Sequence, residues 1–215
     1  CAYGDLRCEA DFKSPETTIQ PSAYSIYPAN VRINYCASDN EYSGDDIQTY
    51  FCTVPASQAC YPSELDADGV YEMSFTQSGF YNIRYYSVDK AKNLEEVKTL
   101  HINVDADPPD IEVTYPTEDN FPTNLASVTI QGIASPDTAS ICTYIYGQTL
   151  KKCINNCIYD PTAANCINSN TGEFSMLVSI PTSGMTNILF DAEDFVGNKI
   201  TGISLLSIYH DITIP

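Results

Sequence analysis

Apolar and polar residues alternate over short runs along most of the chain. In VRINY, the apolar residues Val31, Ile33 and Tyr35 alternate with polar ones, as they do in a strand with one buried face. Turn-forming pairs such as Ser78-Gly79 separate these runs. Stretches with a helical period are scarce. The pattern therefore predicts an all-β protein.

One long segment occurs twice. The segment SGFYNIRYYSVDKAKN, which starts at Ser78, returns 105 positions later as SGMTNILFDAEDFVGN, which starts at Ser183. Ser-Gly, Asn-Ile, Asp and Asn recur in register, so the two copies share a pattern of strand and turn. A repeat at this spacing predicts two tandem modules of about 100 residues each, which is an ordinary domain size.

A proline-rich stretch marks the boundary between the two modules. Asp107-Pro108-Pro109 lies between two strand-like runs, and proline stiffens the backbone on both sides. A polar stretch rich in cysteine interrupts the second module, and long loops of this kind are usually functional or cross-linked. The predicted organisation is a tail or the end of a preceding module (1–16), module 1 (17–106), and module 2 (107–215) with a stapled insertion (147–173).

The length of each half and the short strands suggest an immunoglobulin-like β-sandwich. More closely, SGFYNIRYYSVDKAKNLEEVKTLHINVDADPP and GEFSMLVSIPTSGMTNILFDAEDFVGN resemble the prokaryotic Ig-like tandem modules of large extracellular surface proteins. In that family a strand runs into an Asp-x-x-Gly-Asn turn, and a last strand and Asp-x-x-Pro-Pro follow. The sequence departs from this pattern at Lys92, where the family has Gly, and in its many cysteines. The resemblance implies two tandem, disulfide-stapled immunoglobulin-like sandwiches.

The repeated Asp and Asn residues have a structural explanation. An Asp in a turn accepts hydrogen bonds from backbone N–H groups, and Asn tolerates a left-handed backbone. We therefore expect these residues to form turns and not to bind a metal: Asp89, Asn93, Asp194 and Asn198.

The chain holds 9 cysteines and 2 histidines, and no CxxC pair. This composition favours disulfides in an oxidising compartment over metal or redox chemistry. Cys52 and Cys60 are placed to clip a hairpin, and Cys8 could reach Cys36. The four cysteines of module 2 allow three connectivities, of which Cys142–Cys166 with Cys153–Cys157 is our prediction. Cys1 is then left over, which suggests lipidation, a bond to another chain or a fragment boundary.

A net charge of −18 argues against binding to nucleic acid, because such a surface repels phosphates. The charge keeps the protein soluble, or else part of it binds calcium through clustered carboxylates. The best candidates are Asp39, Asp45 and Asp46, although their spacing is not that of an EF-hand. We expect a solvated turn there, with no cofactor, and keep calcium as the alternative.

No catalytic motif is present, and no apolar run is long enough to span a membrane, so we expect neither an enzyme nor a transmembrane segment. The predicted function is a structural or adhesive module of an extracellular or cell-surface protein or filament. Its partners would be neighbouring copies or modules, and one way to join them is a strand donated by residues 1–27 or by the C-terminal strand. The alternative is a carbohydrate-binding accessory module, in which exposed members of the 16 tyrosines bind glycans.

Overall fold

The computed structural model describes residues 11–20, 26–163, 165–180 and 183–212. The chain divides into two compact units, the first ending at Ala106 and the second beginning at Asp107. This division falls at the proline-rich stretch. No α-helix occurs within the described ranges, and so they contain no helix that could cross a membrane.

Unit 1 consists of eight short strands, as the alternating pattern of its sequence predicts. Their bounds are β1 Glu16–Gln20, β2 Ile26–Tyr27, β3 Asn30–Ser38, β4 Ile47–Pro55, β5 Glu64–Asp66, β6 Val70–Ser74, β7 Gly79–Asp89 and β8 Lys98–Val104.

Two sheets make up this unit. One has the order β1-β3-β6, and the other has the order β2-β8-β7-β4-β5. All neighbours are antiparallel except β2, which runs parallel to the end of β8. The first strands of the unit are therefore shared between the two sheets, with β1 in one and β2 in the other. This division is the arrangement of an immunoglobulin-like sandwich.

The core of unit 1 is built from the inward-facing residues of both sheets. Val31 and Ile33 of β3 are fully buried, in agreement with their alternation in the sequence. Phe51 of β4 lies at the centre, where its ring stacks on Tyr71 at a centroid distance of 4.3 Å and meets the edge of Tyr35 at 5.0 Å. Aromatic residues thus contribute much of the apolar area that stabilises this unit.

Unit 2 repeats the same order of strands. Their bounds are β9 Ile111–Tyr115, β10 Phe121–Thr123, β11 Ser127–Ala134, β12 Thr138–Ile145, β13 Lys152–Asn155, β14 Glu173–Ser179, β15 Gly184–Asp194 and β16 Lys199–His210.

The sheets of unit 2 have the orders β14-β11-β9 and β10-β16-β15-β12-β13. Each strand matches one of unit 1, including the parallel pair of β10 with β16. The core is mainly aliphatic, with Ile130, Ile141 and Ile188 fully buried beside the ring of Phe190. Both units are thus all-β, immunoglobulin-like sandwiches, which confirms the predicted fold class.

Two details of the predicted organisation need correction. The insertion was expected to be a loop, but its residues 152–155 form β13, the edge strand of the larger sheet. Strand donation also finds no support in the described residues. Strands β1 and β2 pair within unit 1, and β16 pairs within unit 2, so each strand remains in its own sandwich.

Candidate functional site

Three disulfides lie within the described residues. Cys52 and Cys60 are bonded, in agreement with the predicted hairpin clip. The predicted pairs Cys142–Cys166 and Cys153–Cys157 are wrong, because the bonds join Cys142 to Cys153 and Cys157 to Cys166.

The register of the strands explains this pairing. Cys142 of β12 stands directly opposite Cys153 of β13, with their Cα atoms 4.0 Å apart. The second disulfide is explained by a backbone hydrogen bond, in which the N–H of Cys157 donates to the carbonyl of Ile167 at 2.8 Å. This hydrogen bond holds Cys157 close to Cys166, the neighbour of Ile167, and the two cysteines are bonded.

The proposed bond from Cys8 to Cys36 is not formed. Cys36 is an exposed free thiol on β3. Its expected partner Cys8, like Cys1, lies outside the described residues. The interpretation of Cys1 as a lipidated or interchain residue therefore stays a prediction.

The repeated Asp and Asn residues close the turn that follows β7 or β15. In unit 2, Oδ1 of Asp194 accepts backbone hydrogen bonds from Gly197 at 2.7 Å and from Asn198 at 2.9 Å. In unit 1, the backbone N–H of Asn93 donates to Oδ1 of Asp89 at 2.9 Å. This is the turn geometry expected of such residues.

The acidic loop after Cys36 does not gather its three candidate ligands. Asp45 and Asp46 lie in a short 3₁₀ turn, and Asp46 forms an exposed ion pair with Lys90 at 2.9 Å. Asp39 instead accepts backbone hydrogen bonds from Glu41 and Tyr42, which fold the loop back on itself.

Asp39 meets two other carboxylates within unit 1. One oxygen from each of Asp11, Asp39 and Asp89 lies within 4.8 Å of the other two. Oδ2 of Asp39 is buried without a hydrogen-bond partner among the described residues. Carboxylate oxygens gathered this closely suit a hard divalent cation, since the three negative charges otherwise repel one another. Calcium binding stays the alternative to a solvated turn, with a different set of candidate ligands.

A polar cluster in unit 2 was not foreseen from the sequence. Asp191 of β15 accepts a hydrogen bond from the ammonium of Lys151, one from the backbone of Gly202 at 2.8 Å and one from the hydroxyl of Tyr144 at 3.2 Å. Burial opposes ionisation of Asp191. The hydrogen bonds and the charge of Lys151 nevertheless hold its pKa below the ordinary value.

An aromatic cluster lies on the outer face of the larger sheet of unit 1. The ring of Tyr50 on β4 stacks on Tyr86 of β7 at a centroid distance of 5.4 Å, and Tyr61 lies 5.7 Å from Tyr86. Burial raises the pKa of Tyr86, and a hydrogen bond to Tyr61 raises it further. The adjacent Tyr85 points inward and is only 8% exposed, as expected for neighbouring residues of one strand.

No protein-family model matches the chain, and no curated protein sequence matches it. Among solved structures, the chain is similar to the fibronectin(III)-like modules of Clostridium thermocellum CbhA, with 16% identity and a TM-score of 0.41 over 91% of this chain and 94% of that one. It is also similar to the FN1–FN3 domains of chicken CNTN1, with 12% identity and a TM-score of 0.42 over 88% of this chain and 64% of that one.

A third similar structure is that of the Sidekick-1 immunoglobulin domains 1–5, with 10% identity and a TM-score of 0.37 over 91% of this chain and 39% of that one. The chain thus spans less than two thirds of the CNTN1 and Sidekick-1 chains. At TM-scores this low, the assignment of each unit to the immunoglobulin-like fold rests on its own strand order.

Proposed function

We propose that this protein is a non-enzymatic structural or adhesive segment of an extracellular protein, and that a cell surface is its setting. The observation that supports this most directly is the covalent cross-linking of both sandwiches, through Cys52–Cys60 in unit 1 and through two bonds in unit 2. Disulfides persist in oxidising compartments, and many cell-surface proteins are built from sandwiches of this kind.

The proposed partners are neighbouring copies or further modules of the same protein. Because β1, β2 and β16 pair within their own units, we propose that the modules are joined through the covalent chain and not through exchanged strands. A prokaryotic surface protein is the source that the repeated turn motif favours.

The structural role, in which disulfides cross-link each sandwich, can be tested by pulling the whole chain with an optical trap or atomic force microscope. A disulfide prevents the residues that it encloses from extending. The 8-residue separation of Cys52 and Cys60 should shorten the unfolding step of unit 1 by about 30 Å. The separations of 11 and 9 residues in unit 2 should shorten its step by about 40 Å and about 30 Å respectively.

Addition of a reductant should lengthen each unfolding step by the amount that its disulfides had removed. The proposal fails if protein isolated from its source without reductant extends as far as the reduced protein, since its cysteines would then be unpaired in the native setting. Alkylation of the same sample gives an independent measurement. The six cysteines of the three described disulfides should resist iodoacetamide until they are reduced.

Carbohydrate binding is the second candidate function. The observation in its favour is the aromatic cluster of Tyr50, Tyr61 and Tyr86 on one face of unit 1, because an exposed aromatic ring can pack against the C–H face of a sugar. A glycan array probed with the whole chain tests this function. Failure to bind any glycan would remove it and leave the structural proposal in place.

A further inference from the structure

Strand β7 presents a row of four side chains on its outer face. Phe80, Asn82, Arg84 and Tyr86 alternate with inward residues such as Ile83, which is fully buried. The row therefore begins and ends with an aromatic ring and has hydrogen-bonding groups between. Phe80 and Tyr86 are six residues apart, which in an extended strand is about 20 Å, or roughly the length of four sugar rings in an extended chain.

The Phe80 end of the row opens into a shallow, mainly apolar cavity of about 480 Å³. Phe80 is 70% exposed, and Asn82 and His101 lie beside it in the lining. Nδ1 of His101 is 2.7 Å from Oδ1 of Asn82, and this contact fixes both side chains. Nε2 of His101 has no hydrogen bond among the described residues, so it can bind a hydroxyl group. This end thus offers a ring face together with a polar group.

The Tyr86 end of the row is extended by Tyr61, which is 66% exposed. Tyr61 follows Cys60 directly, so the disulfide to Cys52 holds its backbone against the sheet. The guanidinium of Arg84 donates a hydrogen bond to the carbonyl of Cys60 and is oriented by it. The remaining N–H groups of Arg84 can donate to a ligand above the middle of the row.

The charge of this face differs from that of the whole protein. The chain has 28 Asp and Glu residues and a net charge of −18. The outward positions of β4, β7 and β8 nevertheless carry no carboxylate, and Arg84 is the one formal charge among them. A neutral ligand can pack there without desolvating a negative charge, whereas the field of the whole protein disfavours a polyanion.

Unit 2 lacks the same row. At the corresponding positions of β15, which are 105 residues later, it carries Met185, Asn187, Leu189 and Asp191. Both aromatic ends and the arginine are therefore absent there, so the row cannot be a requirement of the shared fold. It belongs to unit 1 alone.

We propose that the outer face of β7 binds a neutral, linear glycan. Phe80 packs against a sugar at one end, Tyr61 and Tyr86 pack against a sugar at the other, and Arg84 donates hydrogen bonds to the hydroxyl groups between them. This inference rests on carbohydrate binding, the second candidate function, and assigns it to one face and one class of ligand.

Calorimetric titration of the whole chain tests the assignment, with the hexasaccharides of β-1,4-linked glucose, N-acetylglucosamine, xylose and mannose as probes. One of these hexasaccharides should bind the original chain. Phe80→Ala and Tyr61→Ala should each weaken its binding by about 3- to 10-fold, as expected for the loss of one aromatic contact. The double variant should approach the product of the two effects. Met185→Ala, at the position in unit 2 that matches Phe80, is the control and should leave binding unchanged.

Because Phe80 and Tyr61 are exposed, both variants should keep the thermal midpoint of the original chain, which is measured for each. If both variants bind the hexasaccharide as tightly as the original chain does, the assignment to this face is overturned, but carbohydrate binding still stands. Failure of all four hexasaccharides to bind the original chain would overturn the inference. Equal or tighter binding of hexagalacturonate would overturn the neutral class of ligand.

Discussion

Thr17 and Glu95 are joined by two hydrogen bonds across 78 positions of the chain. The backbone N–H of Thr17 donates to Oε1 of Glu95, and the hydroxyl of Thr17 donates to Oε2, both at 2.7 Å. Glu95 is only 7% exposed, and it also accepts from the backbone of Ser87 at 3.0 Å and pairs with the ammonium of Lys98 at 2.6 Å. The first strand of unit 1 is thus fastened to the connection between β7 and β8.

Removal of this carboxylate should destabilise unit 1. In Glu95→Ala, the buried donors of Thr17 and Ser87 lose their acceptor, so we expect the unfolding free energy to fall by about 3 kcal/mol. Glu96→Ala is the matched control, because the neighbouring Glu96 is exposed and should change stability by less than about 0.5 kcal/mol. Urea denaturation of both variants gives the comparison. Equal stabilities for the two would show that the network contributes nothing.

The sequence contained no signal for this network, because its members are far apart and individually ordinary. The same limit applies to the disulfides. The pairing of Cys142 with Cys153 depends on the register of β12 against β13, and Lys152–Asn155 is too short and polar to be recognised as a strand. Local patterns were more informative. The alternation of Val31 and Ile33 predicted their burial, and the repeated turn motif predicted two similar sandwiches.

Part of the aromatic cluster could be predicted from the sequence and part could not. Adjacent residues of one strand point to opposite sides, so the sequence alone indicates that one of Tyr85 and Tyr86 faces outward. It could not predict that Tyr50 and Tyr61 converge on Tyr86, since this depends on the pairing of β4 with β7 and on the path set by the disulfide. The carboxylates of Asp11, Asp39 and Asp89 converge for the same kind of reason.

The turn after β7 contains one residue in an unfavourable conformation. Lys92 has a φ of 73°, whereas unit 2 has Gly197 at the matching position, with a φ of 97°. A side chain in the left-handed region costs about 1 kcal/mol relative to glycine. We therefore expect Lys92→Gly to stabilise unit 1 by roughly 0.5–1 kcal/mol and Gly197→Lys to destabilise unit 2 by about 1–2 kcal/mol.

This exchange is measured by urea denaturation of both variants. A loss of stability in Lys92→Gly would mean that the added flexibility of the unfolded chain outweighs the relief of strain. In the reciprocal variant Gly197→Lys, steric overlap is excluded as a cause, because the nearest atom to a Cβ added at Gly197 is 4.0 Å away. Its expected effect is therefore due to the backbone.

Two glycines of unit 2 separate backbone strain from steric overlap. Gly172 has a φ of 73°, and a Cβ added there would lie 1.9 Å from the carbonyl oxygen of Ala134. Gly147 has a similar φ of 82° but no atom within 4 Å of an added Cβ. We expect Gly147→Ala to cost about 1 kcal/mol and Gly172→Ala about 3 kcal/mol or more. Thermal unfolding checks the difference, and equal costs would exclude the overlap as its cause.

Asp191 should make the stability of unit 2 sensitive to acid. Burial opposes ionisation of Asp191, but its hydrogen bonds and the charge of Lys151 hold its pKa in the folded state below the ordinary value. A lowered pKa means that the unfolded state binds the proton more readily. The stabilisation is therefore complete above the ordinary pKa and is lost as the pH falls through the lower, folded value.

We thus expect the unfolding free energy of unit 2 to decline below about pH 4, and we expect Asp191→Asn to reduce this decline. The variant should also be less stable at neutral pH, because its amide cannot form the ion pair with Lys151. Lys151→Met provides a second measurement, since it removes the cation and should weaken the acid dependence while Asp191 remains. Urea denaturation at a series of pH values tests both variants. An acid dependence equal to that of the original chain in both would show that other carboxylates cause it.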